Sequence, residues 1–513
     1  MSHQTSHAPI ASGAGPHDDR SQHPPSAGGQ PERQRRSSSA WFYGLLRRLH
    51  FYAGILVGPF ILIAAISGGL YALSPQLEKV IYADALTSSS TATALPLAEQ
   101  IAAAEAFAGE DANLKAVRPA PEPGATTRVL YADPNLGESE SRAIFIDPAT
   151  AEVKGDLTVY GTSGALPLRT WIDQLHRSLH LGDVGRIYSE LAASWLGIVV
   201  AAGLCLWVIR ARKSKRRAEL LRPSFTRTGL RHTLSWHSSV GVWAALGMLF
   251  LSATGITWSQ YGGENVSQLR AALGWQTPSI STSASGAADD SGGHAGHGGH
   301  GGHGGHGGHS GHGGGTAAEA APVADAADFE RVLAKAQEVN VNTGLVEIRP
   351  PADASSAWVV QEIQRSYPTE VDAVAFDPHT LAMTDRVDFS TFSWAAKITR
   401  WGIDLHMGSM FGLANQLVLF AFAIGLAAMV VWGYVMWWQR RPRHDQSKRF
   451  GPVPRPGALR GGPGLAVAAV VLAAVAVSVL LPLVGVSLVV FVAIDVLLGL
   501  RARRKCRTPQ ASG

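Results

Sequence analysis

The chain has 513 residues, of which 46% are hydrophobic and only 16% charged, with a formal net charge of +5. That balance excludes an ordinary soluble chain and directs attention to long apolar runs. Only two cysteines are present, Cys205 in an apolar stretch and Cys506 in a basic tail, which excludes a disulfide framework.

Residues 1–40 are rich in Ser, Gly, Pro, His and Gln and hold no apolar run. They read as a disordered cytoplasmic N-terminus, not as a cleavable signal peptide. Six apolar stretches follow, at 51–73, 190–209, 240–258, 416–438, 465–481 and 484–500. Each is long enough to span a bilayer, which takes roughly 20 residues. Basic clusters lie before the first stretch (Arg33, Arg35, Arg36, Arg47, Arg48) and after the second (Arg210, Arg212, Lys213, Lys215, Arg216, Arg217). Others follow the fourth (Arg440, Arg441, Arg443, Lys448, Arg449) and the sixth (Arg501, Arg503, Arg504, Lys505). If all six stretches cross, every cluster falls on one side, which is the cytoplasm, so both termini are inside.

The expected organisation starts with a membrane entry at 41–73, an outside domain at 74–189 closing on an interfacial His segment, and a span at 190–209. A basic loop at 210–231, a span at 232–258 and an outer linker at 259–327 come next. A second outside domain at 328–415, a span at 416–438, a basic loop at 439–464, a helical hairpin at 465–500 and a tail at 501–513 complete it. In the outside segments, 97–108 and 328–339 read as helices, and 128–131, 142–147, 358–363 and 373–377 as strands. The fold class is therefore an α-helical integral membrane bundle of six transmembrane helices, internally duplicated, with two extracytoplasmic α+β domains.

The duplication is explicit in the register. His50, Gly54, Ser67 and Gly68 match His237, Gly241, Thr254 and Gly255 at a constant offset of 187. Trp171, Leu175, His176, Gly182, Gly203 and Trp207 match Trp401, Leu405, His406, Gly412, Gly433 and Trp437 at an offset of 230. Asp147, Pro148 and Thr150 match Asp377, Pro378 and Thr380 at the same 230. Both halves enter the membrane in the same sense, so a pseudo-two-fold axis should run along the membrane normal. The offsets differ by 43 residues, which marks an insertion in the second half around His294–His312.

Under that symmetry His50 and His237 share the cytoplasmic end of the bundle, and His176 and His406 share the outer end. An imidazole inside a membrane is expensive and usually functional. Two facing imidazoles on two helices are the axial arrangement that holds a haem iron. Gly54 and Gly241, one turn beyond their histidines, would leave room for a flat macrocycle. The plainer alternative is that each histidine only hydrogen-bonds across helices or sits at the interface. His180, one turn from His176, is the runner-up outer ligand, and Met410 at its repeat position makes His180 with Met410 a conceivable outer pair. His232, opposite Leu45 in the repeat, reads as an interface residue beside Arg231. Arg47, Arg48, Arg231, Arg177, Arg186 and Arg400 lie near the two ends, either as partners for haem propionates or as interfacial anchors. No Cys-x-x-Cys-His sequence is present, so the haem expected is b-type.

His294, His297, His300, His303, His306, His309 and His312 recur every third residue, mostly in glycine. Such a tract cannot build a core and reads either as a transition-metal site for copper, nickel or zinc or as a polar linker. No Gly-rich dinucleotide fingerprint, Walker loop or zinc-protease motif occurs. Electrons would therefore come from a separate cytoplasmic reductase or from membrane quinol. Partners expected are the lipid bilayer, that unidentified donor, a metal complex as substrate and a metal transporter, with no nucleic acid.

The segments LHFYAGILVGPFILIAAISGGLYAL, LHRSLHLGDVGRIYSELAASWLG, WHSSVGVWAALGMLFLSATGI and LHMGSMFGLANQ resemble the PepSY-associated transmembrane helix proteins. These are iron-regulated membrane proteins that include ferrisiderophore reductases of the inner membrane. The outside segments, with IFIDPAT and VAFDPHT, look like PepSY domains, and the resemblance covers roughly residues 41–440. It implies b-type haem in the bundle, with His50, His176, His237 and His406 as ligands. The Gly/His tract departs from the family's usual pattern and leaves copper or another metal open as the substrate. The expected function is a transmembrane reductase with two haem b groups, passing electrons to an extracytoplasmic metal complex such as a ferric siderophore. The rival readings are a metal-capturing membrane protein that assists iron or copper uptake without redox activity, and a PepSY-type regulator.

Overall fold

A computed structural model describes residues 30–90, 92–284, 325–342, 344–441 and 462–507. The tract from His294 to His312 and the reading of residues 1–29 lie outside the described residues.

The first half runs α1 (Gln30–Leu56), α2 (Gly58–Ile81), α3 (Ala83–Leu86), α4 (Leu97–Ala108), β1 (Asn113–Arg118), β2 (Thr127–Ala132), β3 (Glu140–Ile146), β4 (Val153–Tyr160), α5 (Pro167–Ser178) and α6 (Gly182–Lys213). The second runs α7 (Gly229–Ile256), α8 (Tyr261–Ala272), α9 (Ala326–Glu338), β5 (Val346–Arg349), β6 (Trp358–Glu362), β7 (Ala373–Phe376), β8 (Met383–Val387), α10 (Trp394–His406) and α11 (Gly412–Gln439). A hairpin of α12 (Gly464–Leu480) and α13 (Pro482–Arg507) follows.

Among the described residues, α2, α6, α7 and α11 are long and apolar enough to cross a membrane. The apolar parts of the terminal hairpin, Gly464–Leu480 and Pro482–Ile494, are shorter than that. The four helices pack as a ring, α2 on α11 and α6, α7 on the same two. Each contact has its counterpart across the expected two-fold. Ala53, Val57, Ile61, Trp195, Val200, Met248 and Leu426 fill the centre. The hairpin leans on α6, where Trp195 Nε1 donates to Ser487 Oγ at 2.9 Å.

Local chemistry explains the entry helix. Pro59 has no N–H, so the carbonyl of Ile55 loses its helical partner. The Tyr434 hydroxyl, from α11, donates to that carbonyl at 2.6 Å. Pro75 in α2 likewise frees the carbonyl of Tyr71, and Ser74 Oγ donates to it at 2.6 Å. Both breaks are repaired by side chains, and the chain continues helically on either side.

The eight strands form one antiparallel sheet in the order β4-β3-β2-β1-β5-β6-β7-β8. The two units expected as small α+β domains are thus joined edge to edge through β1 and β5, at Val117 and Ile348. They also share a core: Ile101 and Ala104 of α4 and Phe329, Val332 and Ala336 of α9 pack in one cluster with Val117, Ile144, Ile348 and Val360. The seam carries a buried ion pair, with Arg118 Nε donating to Glu347 Oε2 at 2.8 Å. The repeat register holds throughout, since Val153 and Met383 open β4 and β8 at a separation of 230. The bundle therefore has a sheet end and a basic end, the latter marked by Arg210, Arg212 and Lys213 at the close of α6.

Candidate functional site

At the basic end the rings of His50, on α1, and His237, on α7, lie 6.1 Å apart between centroids, with planes at 77°. His50 Nδ1 donates to the carbonyl of Val199 on α6 at 2.9 Å. A carbonyl only accepts, so the ring proton sits on Nδ1 and Nε2 is the bare nitrogen. His237 Nδ1 faces the carbonyl of Met429 on α11 without a well-formed hydrogen bond. Val199 and Met429 are themselves repeat equivalents, 230 positions apart. The 6.1 Å spacing brings the two rings near enough that both could hold one metal-bearing group.

At the sheet end His176 on α5 and His406 on α10 repeat the arrangement with hydroxyls. Ser67 Oγ lies 3.0 Å from His176 Nδ1, and Thr254 Oγ1 lies 2.5 Å from His406 Nδ1. Each hydroxyl hydrogen is already committed, Ser67 to the Ile63 carbonyl and Thr254 to the Phe250 carbonyl, both at 2.8 Å. The oxygens therefore accept from Nδ1–H, and again Nε2 is bare. A donated second ring N–H of this kind is what orients a metal-bound histidine.

Other side chains position these two helices. Glu78, at the end of α2, accepts from Leu166 N at 2.7 Å and pairs with Arg169 at 3.2 Å, which fixes the start of α5. Tyr188 donates to the His176 carbonyl at 2.5 Å. Ser393 caps α10, and Asn415 Nδ2 donates to the Leu405 carbonyl at 2.9 Å. The fully buried Glu190 accepts from Tyr261 N and Gly262 N at 2.9 Å each, holding the start of α8.

His176 and His406 line one cavity together. Its space for the centre of a water molecule is about 190 Å³, room for on the order of a dozen waters. That is far more space than a bare ion needs. Its floor is apolar, with Ile61, Ala65, Leu196 and Leu426, and its polar wall holds Asp173, Arg177, Arg186, Glu190 and Arg365. Among the described residues no group of three or more His, Cys, Asp or Glu converges to cage a metal ion directly. The donor set, two imidazoles at each end, would suit a metal that brings other ligands of its own.

Several expected roles fall elsewhere. His180 is not on the face of α5: the helix ends at Ser178, and Leu179 and His180 take left-handed conformations. His180 is exposed and lies against Trp171 at 4.9 Å, away from the cavity. Met410 is buried, and its carbonyl accepts from Tyr367 N. His232 lies 6.1 Å from Trp236. Arg177 and Arg186 do line the cavity, whereas Arg400 pairs with Asp404 at 2.9 Å. The two glycines expected to make room differ in their surroundings. Gly54 does face open space, but a Cβ at Gly241 would meet Met429 Cε at 2.7 Å. The glycines that make room for the rings sit on neighbouring helices. A Cβ at Gly203 would meet His50 Cε1 at 2.9 Å, and one at Gly68 would meet His176 Cε1 at 3.1 Å. Ser67 and Thr254 were visible as repeat equivalents, but their partners were not. Arg365 carried no sequence signal.

The family model described as PepSY-associated TM region matches residues 47–440. No curated protein matches the chain.

Proposed function

The chain belongs to the PepSY-associated TM family, and from that premise we propose that it binds haem b and passes electrons across the cytoplasmic membrane to an extracytoplasmic metal complex, such as a ferric siderophore. The observation that carries the reading is the common posture of four histidines in two pairs. His50, His176 and His406 each give Nδ1–H to an oxygen on a neighbouring helix, and His237 faces the equivalent carbonyl. Bare Nε2 atoms are what two axial pairs need.

Haem iron supplies reversible one-electron chemistry when bound. The protein's own residues do the rest. Ser67, Thr254 and the Val199 carbonyl hold the proton on Nδ1 and so keep each of their imidazoles correctly turned, with Nε2 toward the ligand. Val57 and Met248 make the space between the two ends apolar. The basic residues at the ends of α6 and α11 support a reading with that end in the cytoplasm and the sheet outside. The terminal hairpin completes six spans in this reading. The donor is a cytoplasmic reductase or membrane quinol, and the accepting metal complex is reduced by one electron. Reduction of Fe(III) to Fe(II) weakens its hold in hard oxygen chelators and releases the ion.

The test is an optical spectrum of the purified protein before and after dithionite. Sharp low-spin haem bands that acid–acetone extraction removes are expected. A colourless preparation overturns the reading, and colour that stays on the polypeptide overturns the b-type assignment. A colourless protein that still takes up copper or zinc would favour metal capture.

A further inference from the structure

Arg365 enters the cavity from the sheet, not from the bundle. It lies just beyond β6, in the connection to β7, and its side chain is only 9% exposed. Nη2 donates to Thr162 Oγ1 at 2.9 Å and Nη1 approaches Met407 Sδ at 3.4 Å. The buried Asp404 is shared: its Oδ2 accepts from Arg400 Nε at 2.9 Å, and its Oδ1, which has no hydrogen bond, lies 3.7 Å from Arg365 Nη1 as an ion pair. Arg365 Nε is buried with no hydrogen-bond partner. Burial, with Arg400 beside it, pushes Arg365 down to about 10.

One carboxylate thus serves two guanidiniums, Arg365 and Arg400, and the rest of the wall adds little to balance them. Among the described residues, Arg177, Arg186 and Arg365 face the cavity against Asp173 and Glu190. Asp173 pairs with Arg177 at 3.2 Å, and both oxygens of Glu190 are taken by backbone N–H groups. A buried guanidinium left short of an anion is costly. Its planar fork matches a carboxylate.

We propose that Arg365 is a ligand-binding residue whose guanidinium receives a carboxylate of the molecule seated against His176 and His406. The inference rests on the haem reading above and names the macrocycle's own propionates as the source. A carboxylate-bearing metal chelate offers the same chemistry from a second source.

The experiment uses the full chain, purified in detergent from haem-starved cells, in a His237→Ala background so that uptake reports the sheet end. Haemin, haemin dimethyl ester and citrate are titrated into Arg365, Arg365→Gln and Arg365→Lys forms. With Arg365, haemin should bind about tenfold or more tightly than its ester, as charge-assisted hydrogen bonds allow. Arg365→Gln should lose most of that preference while remaining monodisperse, and Arg365→Lys should keep part of it. Haemin binding without preference for the free acid, or a preference that survives Arg365→Gln, overturns the inference and leaves the haem reading standing. Arg365-dependent binding of citrate without haemin overturns the propionate source and the haem reading, and assigns the carboxylate to a chelate. Binding of neither overturns both.

Discussion

The hydroxyl of Ser67 accepts a hydrogen bond from His176 Nδ1 at 3.0 Å, across 109 positions of chain. Thr254 does the same for His406 in the other half. In the proposed function these oxygens set which ring nitrogen faces the ligand. Ser67→Ala should lower haem affinity at the sheet end by about 10- to 100-fold, the usual effect of removing such a partner. Ser67→Thr should retain most of it, because Thr254 already fills the equivalent position. Haem content after size-exclusion chromatography measures the difference, and unchanged content in Ser67→Ala counts against the role.

The pairing itself makes a second prediction. The two ends of a membrane span lie roughly 30 Å apart. His50→Ala and His237→Ala should therefore disturb one and the same haem, and His176→Ala and His406→Ala the other. The double change His50→Ala with His237→Ala should match either single change in haem count. Each single variant should still stop electron passage across vesicle membranes, since the two sites act in series. Loss of one common haem from the His50 and His406 variants would refute the pairing.

The Arg118–Glu347 pair should hold the two halves of the sheet together. Burial raises the Glu347 pKa, but Arg118 and Arg349 outweigh it and hold the group below its ordinary value of 4.5. A depressed folded-state pKa contributes stability above the unfolded value and loses it as pH falls through the folded one. Melting of the sheet, followed by circular dichroism, should therefore weaken below about pH 4.5. Glu347→Gln should flatten that acid limb. It should also destabilise at neutral pH by about 3–5 kcal/mol, because Arg118 is left buried without its partner. An unchanged melting profile would remove the pair from the account.

Deleting residues 291–313 should leave haem uptake and the fold intact. The tract is an insertion in one half of a repeat whose other half lacks it. Haem content and melting temperature of the deletion variant provide the check. Loss of haem would make the tract histidines ligands and displace the bundle pairs.

Much of this was legible because a duplication writes its geometry into residue numbers. Two constant offsets located four histidines in two pairs, and the structure brings His50 beside His237 and His176 into one cavity with His406. The helix at 97–108 was read as it stands in α4. Contacts between distant segments were not legible. A turn-by-turn reading of one helix can name only its own neighbours, so Gly54 and Gly241 were credited with room that Gly203 and Gly68 provide from other helices. β1, β4, β5 and β8 lacked a clean alternation; β8 (MTDRV) is an edge strand with charged residues. Arg365 has no repeat counterpart of its own kind, so only the folded chain shows it reaching the cavity.

The antiparallel seam between β1 and β5 joins equivalent strands of the two halves. Two copies of a half-length chain meeting about a two-fold axis would make the same seam, each covering the other's open edge. Fusion of such a homodimer into one polypeptide replaces a concentration-dependent encounter with an intramolecular one. It also frees each copy to change alone. Val199 stands opposite Met429 and Arg177 opposite Met407 in the repeat, so the two-fold symmetry holds in the backbone while the side chains of the two copies differ.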